Sequence, residues 1–260
     1  MDQAGGVCAV VVHHGGEAVA SVALISDIHG NRRALEAVLA DIAERGIEET
    51  YCLGDLVGYG PDPNGVIDLV RGHRIPCLLG NYDDGVGRET GNCGCFYATA
   101  EAERLGAASY AYTVARVTPE GKAFLRHLPR ERHVYQDGYR LHLVHGSPRA
   151  INEYLLRDRD ERTFRRLAAA EADDALVFGH THEQWHRQYG RVLFVAAGSV
   201  GRPKDGDARA MYTLLTAAPE PQALLQVEHV RVSYDAEATA RAVTAAGLPV
   251  ELAEQFRLGA

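Results

Sequence analysis

Ser26-Asp27-Ile28-His29-Gly30-Asn31 sets a carboxylate and an imidazole two residues apart, where an apolar run stops and an amphipathic segment begins. Backwards from Asp27, Val22-Ala23-Leu24-Ile25 is short, partly β-branched and free of charge, the pattern of a strand buried on both faces. Forwards, Leu35, Val38, Leu39 and Ile42 recur at helical spacing, with Asn31 as an N-cap and Gly46 as a C-terminal stop. Asp27 and His29 therefore belong at the carboxyl end of a strand, in the crevice where open α/β sheets bind ligands and where the positive end of the next helix favours a phosphate.

Four other stretches repeat this design. Thr50-Tyr51-Cys52-Leu53-Gly54 runs into Asp55, and Ile75-Pro76-Cys77-Leu78-Leu79-Gly80 runs into Asn81. Leu141-His142-Leu143-Val144 runs into His145, and Ala175-Leu176-Val177-Phe178-Gly179 into His180, with His182 two residues on. Any one of these is also what an ordinary strand end carries; the repetition is what points to a metal site. If the runs are neighbouring strands pointing the same way, Asp27, His29, Asp55, Asn81, His145, His180 and His182 converge on one edge of a sheet.

The ordered set D-x-H, G-D, G-N, H-G and G-H-T-H, spread from Val22 to Val232, resembles the calcineurin-like metallophosphoesterases. Gly54-Asp55-Leu56-Val57-Gly58-Tyr59-Gly60-Pro61-Asp62-Pro63-Asn64 and the late Gly198-Ser199-Val200-Gly201 resemble the small bacterial phosphodiesterase branch more than the protein phosphatases, which carry Asp-Arg-Gly after the second motif. The resemblance implies an α/β fold, a two-sheet αββα sandwich with a helical cap-like insertion over about residues 84–130. It also implies two divalent transition-metal ions, with Asp55 shared: Asp27, His29 and His182 complete one site, and Asn81, His145 and His180 the other. Imidazole and oxygen ligands without thiolate suit Mn, Fe, Co or Zn better than Ca or Mg. The activity implied is hydrolysis of phosphate esters by a hydroxide bridging two metal ions, most simply a phosphodiesterase on small nucleotide-like substrates. A dinucleoside polyphosphate hydrolase, a protein phosphatase and a non-catalytic scaffold of the same fold are the alternatives; the scaffold calls for lost ligands, and all seven are present. Asn81 and Tyr82 stand at the catalytic position. Many family members have His after the Asn, to protonate the leaving oxygen, so Tyr82 departs from the pattern. Tyr59 and Arg202 are the candidate substrate-binding residues.

A chain of 260 residues with 46% hydrophobic content accommodates one α/β domain over residues 20–260. Residues 1–19 read as a loose extension, with Val7 to Val12 as a potential edge strand. A net charge of −8 and a pI near 5.8 argue against a broad nucleic-acid surface, which needs clustered Lys and Arg, and leave a small phosphoester as the partner. No apolar run approaches a membrane span and Asp2 stands where a signal peptide wants positive charge, so a cytoplasmic location is expected. Five cysteines in such a chain suggest reduced thiols. Cys93 and Cys95 are too close for an easy mutual disulfide and too few for a closed zinc site. Asp83 to Cys95 reads as a polar, glycine-rich loop, Tyr97 to Arg116 as a helix, and Thr118-Pro119 as the start of another that Pro129 ends. Residues 131–145 read as a hairpin around Asp137-Gly138, with His142 a satisfied strand histidine rather than a ligand.

Overall fold

The computed structural model describes residues 21–217 and 225–260. The expected extension over residues 1–19, with Val7 to Val12, lies outside them. The first βα unit follows its sequence pattern: β1 (Ser21–Ile25) leads into α1 (Arg32–Glu44), where Asn31 Oδ1 accepts the Ala34 N–H at 3.2 Å and Gly46 takes φ +68° just past the end. β2 (Glu49–Cys52) precedes α2 (Pro63–Gly72), capped by Asp62 and opened by Pro63. Next come α3 (Asn81–Arg88), α4 (Ala100–Arg116) and α5 (Pro119–Arg126). β3 (Glu131–Gln136) and β4 (Tyr139–Val144) form the expected hairpin, with Asp137 and Gly138 both at positive φ. α6 (Glu161–Ala170), β5 (Ala175–Phe178), β6 (Gln184–Tyr189), β7 (Val192–Ala197), β8 (Ala210–Thr216), β9 (Gln226–Val232), α7 (Ala236–Ala245) and α8 (Val250–Leu258) complete the order.

The strands form two sheets, β2-β1-β8-β9 and β3-β4-β5-β7-β6. Alternation along β1 explains the layering. Val22 and Leu24 meet Leu141, Leu143, Val177 and Val195 between the sheets, whereas Ala23 and Ile25 face Leu35, Val38 and Val66 of the helices outside. On the far side Leu176, Phe178 and Phe194 pack under Phe164 and Leu167 of α6. The result is a helix–sheet–sheet–helix sandwich. α3 packs against α4 and α5, and α4 against α2, joined to the same apolar layer by Val86, Leu105, Val117 and Leu125. No described helix is long and apolar enough to cross a membrane.

Three expectations are corrected. The runs do not share one sheet: those ending at Asp27 and Asp55 belong to the first, and those ending at His145 and His180 to the second. The run Ile75 to Gly80 is not a strand but a single bridge from Cys77 to Cys52, because Pro76 offers only its carbonyl, which accepts the Cys52 N–H at 2.9 Å. Residues 83–88, expected as the start of a loop, belong to the helix α3. Asp83 supplies the cap by accepting the Gly80 N–H at 3.1 Å, and Arg88 reaches back to Asp84 at 2.6 Å. The glycines there serve packing rather than freedom: a Cβ on Gly85 would stand 2.5 Å from the Asn92 carbonyl oxygen. His142 is satisfied as expected, with Nδ1 2.8 Å from Glu171 and Nε2 3.3 Å from Glu131.

Candidate metal centre

All seven candidate ligands are buried and brought together where the carboxyl ends of β1, β2, β4 and β5 meet across the two sheets. The loops that carry them are unusual in their backbone. Nine non-glycine residues among those described have positive φ, and five of them are Asp27, His29, Asp55, His180 and His182. Left-handed backbone at such residues is uncommon and gathers at functional sites. It turns each side chain sharply off its strand and lets the loops pack backbone to backbone. Glycine is needed at the facing positions: a Cβ on Gly80 would fall 2.1 Å from the Asp55 nitrogen, and one on Gly179 2.0 Å from Ser26 Oγ.

Asp27, Asp55 and three of the imidazoles are each held through one side-chain atom and turn the other toward the centre. Asp27 Oδ2 accepts from Ser26 Oγ at 2.6 Å and from the His180 N–H at 3.0 Å, while buried Oδ1 meets no hydrogen-bond partner among the described residues. His29 Nδ1 donates to the Val57 carbonyl at 3.0 Å, His145 Nδ1 to that of Leu53 at 2.9 Å, and His182 Nδ1 to that of Arg202 at 2.5 Å. A carbonyl only accepts, so all three rings carry a proton on Nδ1 and turn Nε2 toward the centre. Asp55 Oδ1 accepts the Tyr82 N–H at 2.8 Å. Its Oδ2 lies 3.7 Å from His29 Nε2 and 3.4 Å from His145 Nε2, between the two groups.

Asp27, His29 and His182 form one cluster and Asp55, His145 and His180 the other, the ligand atoms of each lying within 4.8 Å of one another. In the first, Nε2 of His29 and Nε2 of His182 are 3.1 Å apart, and Asp27 Oδ1 is 3.3 Å from His182 Nε2. Burial lowers the pKa of both rings, that of His182 to about 3, so two neutral nitrogens face each other with lone pairs opposed. A cation resolves that arrangement: tetrahedral zinc–nitrogen bonds put two nitrogens about 3.4 Å apart. In the second cluster a proton takes the cation's part. Burial opposes a charged His145, but the Asp55 carboxylate overrides it and pushes the ring up to about 10. Its Nε2 then donates to Asn81 Oδ1 at 2.9 Å. His180, lowered to about 3 by burial and by His145, leaves buried Nε2 without a partner among the described residues, its ring 4.0 Å from that of Tyr154. Asp27 and Asp55, despite burial, are held below the usual carboxylate range by His182 and His145 respectively. Both clusters thus fit a metal of imidazole and carboxylate preference.

The other predicted residues are placed unequally. Arg202 lies at the first cluster: its guanidinium is 4.3 Å from the Tyr59 ring centroid, and the Tyr59 ring meets His29 edge-on at 5.0 Å. Asn81 lies at the second, its Nδ2 donating to the Cys93 carbonyl at 2.8 Å. Tyr82, which stands where many family members have a histidine, does not turn its hydroxyl to the clusters. Its ring edge faces His29 at 5.7 Å, but the phenol is fully buried and pairs with Ser109 Oγ at 2.7 Å, turned toward α4 and away from the clusters. Several contributors escape a strand-end reading. Asp83 accepts from Leu56 and Gly80 N–H, and burial with Asp55 nearby raises its pKa to about 7. Ser199 donates to the Asp27 carbonyl at 2.7 Å and so ties the Gly198 to Gly201 loop to the first one. Its only signal was its place in that glycine-flanked phrase.

Residues 21–218 match the family model described as the calcineurin-like phosphoesterase superfamily domain. An uncharacterised protein of Methanocaldococcus jannaschii, MJ0912, is 31% identical over 256 residues, 92% of this chain and 98% of that protein. Phosphodiesterase YfcE of Escherichia coli K12 is 29% identical over 196 residues, 73% of this chain and 84% of its own length. The crystal structure of a metallophosphoesterase from Sphaerobacter thermophilus superposes with a TM-score of 0.72 at 28% identity, covering 93% of this chain and all (100%) of that one. A match of that extent, on loops that gather buried carboxylates and imidazoles where the two sheets meet, makes this chain a member of the calcineurin-like phosphoesterase superfamily and a phosphoric ester hydrolase.

Proposed function

We propose that the chain is a phosphodiesterase for small nucleotide-like esters, with two divalent transition-metal ions, Mn, Fe, Co or Zn, sharing Asp55. The observation that carries this reading is the pair of opposed nitrogens, His29 Nε2 and His182 Nε2, beside the unpaired Asp27 Oδ1. Asp27, His29 and His182 would hold one ion and Asn81, His145 and His180 the other. When bound, such a pair activates a shared water as hydroxide near neutral pH and offsets charge on the phosphoryl oxygens. The chain's own residues orient the substrate. Arg202 is 8% exposed, anchored through Nη2 on Gln255 at 2.6 Å, and has a buried Nε without a partner among the described residues, a donor suited to a non-bridging phosphate oxygen. Tyr59 supports that guanidinium from below.

The diester preference draws on the likeness to YfcE, whose name is phosphodiesterase. We also read residues 84–130 as a helical insertion beside the site, within a single domain over residues 20–260. A cytoplasmic location, with no membrane or broad nucleic-acid partner, accords with the acidic net charge of −8 and with Cys52, Cys77, Cys93 and Cys95 all being free thiols. The test is turnover of bis(p-nitrophenyl) phosphate and p-nitrophenyl phosphate by chelator-stripped protein, before and after addition of Mn²⁺, Co²⁺ or Zn²⁺. Metal-dependent hydrolysis with the diester preferred is the expected result. Cleavage of the monoester alone overturns the diester reading, and diester cleavage by the stripped protein overturns the metal reading.

A further inference from the structure

We propose that Cys93 and Cys95 are a reversible redox modification site that acts on Asn81. The pair sits in the loop after α3, separated by Gly94 at φ +67°. That left-handed residue brings both side chains to the same side of the turn, with the two sulfurs 2.7 Å apart. The turn is clamped, since Asn92 Oδ1 accepts the Gly94 N–H at 2.9 Å and Asn152 Nδ2 donates to the Gly94 carbonyl at 2.9 Å. Cys93 is buried, whereas Cys95 is partly exposed and open to a small oxidant.

The same loop fixes a candidate ligand. Asn81 Nδ2 donates to the Cys93 carbonyl at 2.8 Å and to Cys95 Sγ at 3.2 Å, which leaves Oδ1 aimed at His145 Nε2. The orientation of the Asn81 amide is thus decided by two groups belonging to the cysteine pair.

The oxidant is a hydroperoxide. One sulfur of the pair takes one oxygen atom from it to become a sulfenic acid, and a first water leaves if hydrogen peroxide is the reagent. The other sulfur then attacks it, the S–S bond forms, and the sulfenic hydroxyl departs with the attacking thiol's proton as the second water. Two thiols have lost two protons and two electrons, and a low-molecular dithiol restores them. A bridge across one residue is strained by its spacing, and strained bridges are the labile, regulatory ones. Oxidation draws Cys95 toward Cys93 and turns the thiol that meets the Asn81 amide into a disulfide sulfur. Asn81 loses one of its two anchors, and the second cluster loses its preset oxygen. This consequence rests on the metal-centre reading; the bridge itself does not.

The full chain loaded with Zn²⁺, which has no redox chemistry of its own, is treated with hydrogen peroxide, alkylated and mapped by mass without reduction. The expected result is a peptide containing Cys93 and Cys95 that is two hydrogens lighter and unalkylated, and that reverts with dithiothreitol. Zinc competition with a chromophoric chelator should show the weaker of the bound ions held about 10- to 100-fold less tightly after oxidation. Cys93→Ser, which keeps the backbone carbonyl on Asn81, should abolish both responses to peroxide. Free Cys93 and Cys95 after treatment, or a bridge mapping to Cys52 and Cys77 instead, overturns the proposal. A bridge that forms while zinc retention stays constant overturns the coupling to Asn81. Failure of both redox forms to bind zinc overturns the metal-centre reading and the coupling together, while the peptide masses still report on the bridge.

Discussion

Arg202 and Tyr82 show how far a residue's chemistry depends on what its polar atoms already touch. Arg202 has spent one nitrogen on Gln255 and keeps Nε buried without a partner among the described residues, so a phosphate oxygen would complete it. Hydrogen bonds to charged groups contribute about 1.5–3 kcal/mol, so Arg202→Met should raise KM for a diester about 10- to 100-fold with kcat little changed. A fall in kcat at constant KM would instead mean that Arg202 only braces Tyr59. Tyr82, with its hydroxyl on Ser109, has no proton to deliver at the clusters. Tyr82→Phe should leave nitrophenyl ester turnover within about twofold and cost about 1 kcal/mol in denaturant melts. Loss of most activity at unchanged stability would restore the phenol as a catalyst. The seven candidate ligands were legible in the sequence because five of them follow a short apolar run by a residue or two, and His29 and His182 come two residues after Asp27 and His180. Ser26, Asp83 and Ser199 were not, since two of their partners are backbone groups of other loops, 27 residues away for Asp83 and Leu56 and 172 for Ser199 and Asp27.

At the scale of elements, α3 is the segment where composition misled. Asn81-Tyr82-Asp83-Asp84-Gly85-Val86-Gly87-Arg88 has two glycines and only Tyr82 and Val86 as apolar residues, which argue for a loop. The helix forms because its surroundings require it. Gly85 and Gly87 let it lie against Asn92 and Leu125, and Asp83 binds the chain on both sides of the site. Its Oδ1 accepts from Leu56 N–H at 2.9 Å and from Val57 N–H at 3.3 Å, and its Oδ2 from Gly80 N–H. Asp83→Ala strands three buried donors, each costing about 1–3 kcal/mol, so it should destabilise the chain by about 3 kcal/mol or more. Asp83→Asn, which keeps one accepting oxygen, should lose markedly less. Equal stability for the two variants in urea titrations would show that water reaches these donors. The hairpin, α1 and α2 were legible because their turns and caps are local: Asp137-Gly138, Asn31 and Asp62 act within a few residues of themselves. The partition into two sheets was not, because β1 lies between β2 and β8, and its Ser21 pairs with Thr216 across most of the chain.

Across the whole molecule, the site is a seam. The first sheet's loops supply Asp27, His29, Asp55 and Asn81, the second sheet's supply His145, His180 and His182, and each cluster takes ligands from both. Without metal this seam makes stability depend on pH. His29, His180 and His182 have folded pKa values below their ordinary one, the last two at about 3, so the unfolded chain binds more protons and stability rises with pH up to about 6.5. Asp83, raised to about 7, works against them above the ordinary carboxylate range, but it is one group against three histidines, so the net rise persists between roughly pH 4 and 6. His145, raised to about 10, reverses the sign above pH 6.5, where the folded chain retains a proton that the unfolded chain has lost. Melting temperature in chelator should therefore climb to a maximum near neutrality and fall beyond it; a steady fall from pH 4 would mean that the buried histidines fold protonated. On the proposed metal centre, an ion would change the seam into a crosslink, because bound only by the folded chain it would hold the two sheet edges to each other. At a free concentration 1,000 times its dissociation constant an ion adds about 4.1 kcal/mol, and at about 2–4 °C per kcal/mol for a chain of this size chelation should lower the melting temperature by about 10 °C. Hydrogen exchange locates the effect. The amides of residues 27–31, 54–57 and 179–182 should lose protection on chelation far more than those in β8 and β9, which pair within one sheet and contribute no ligand. A uniform loss over both sheets would mean that the ions stabilise the fold without holding this seam.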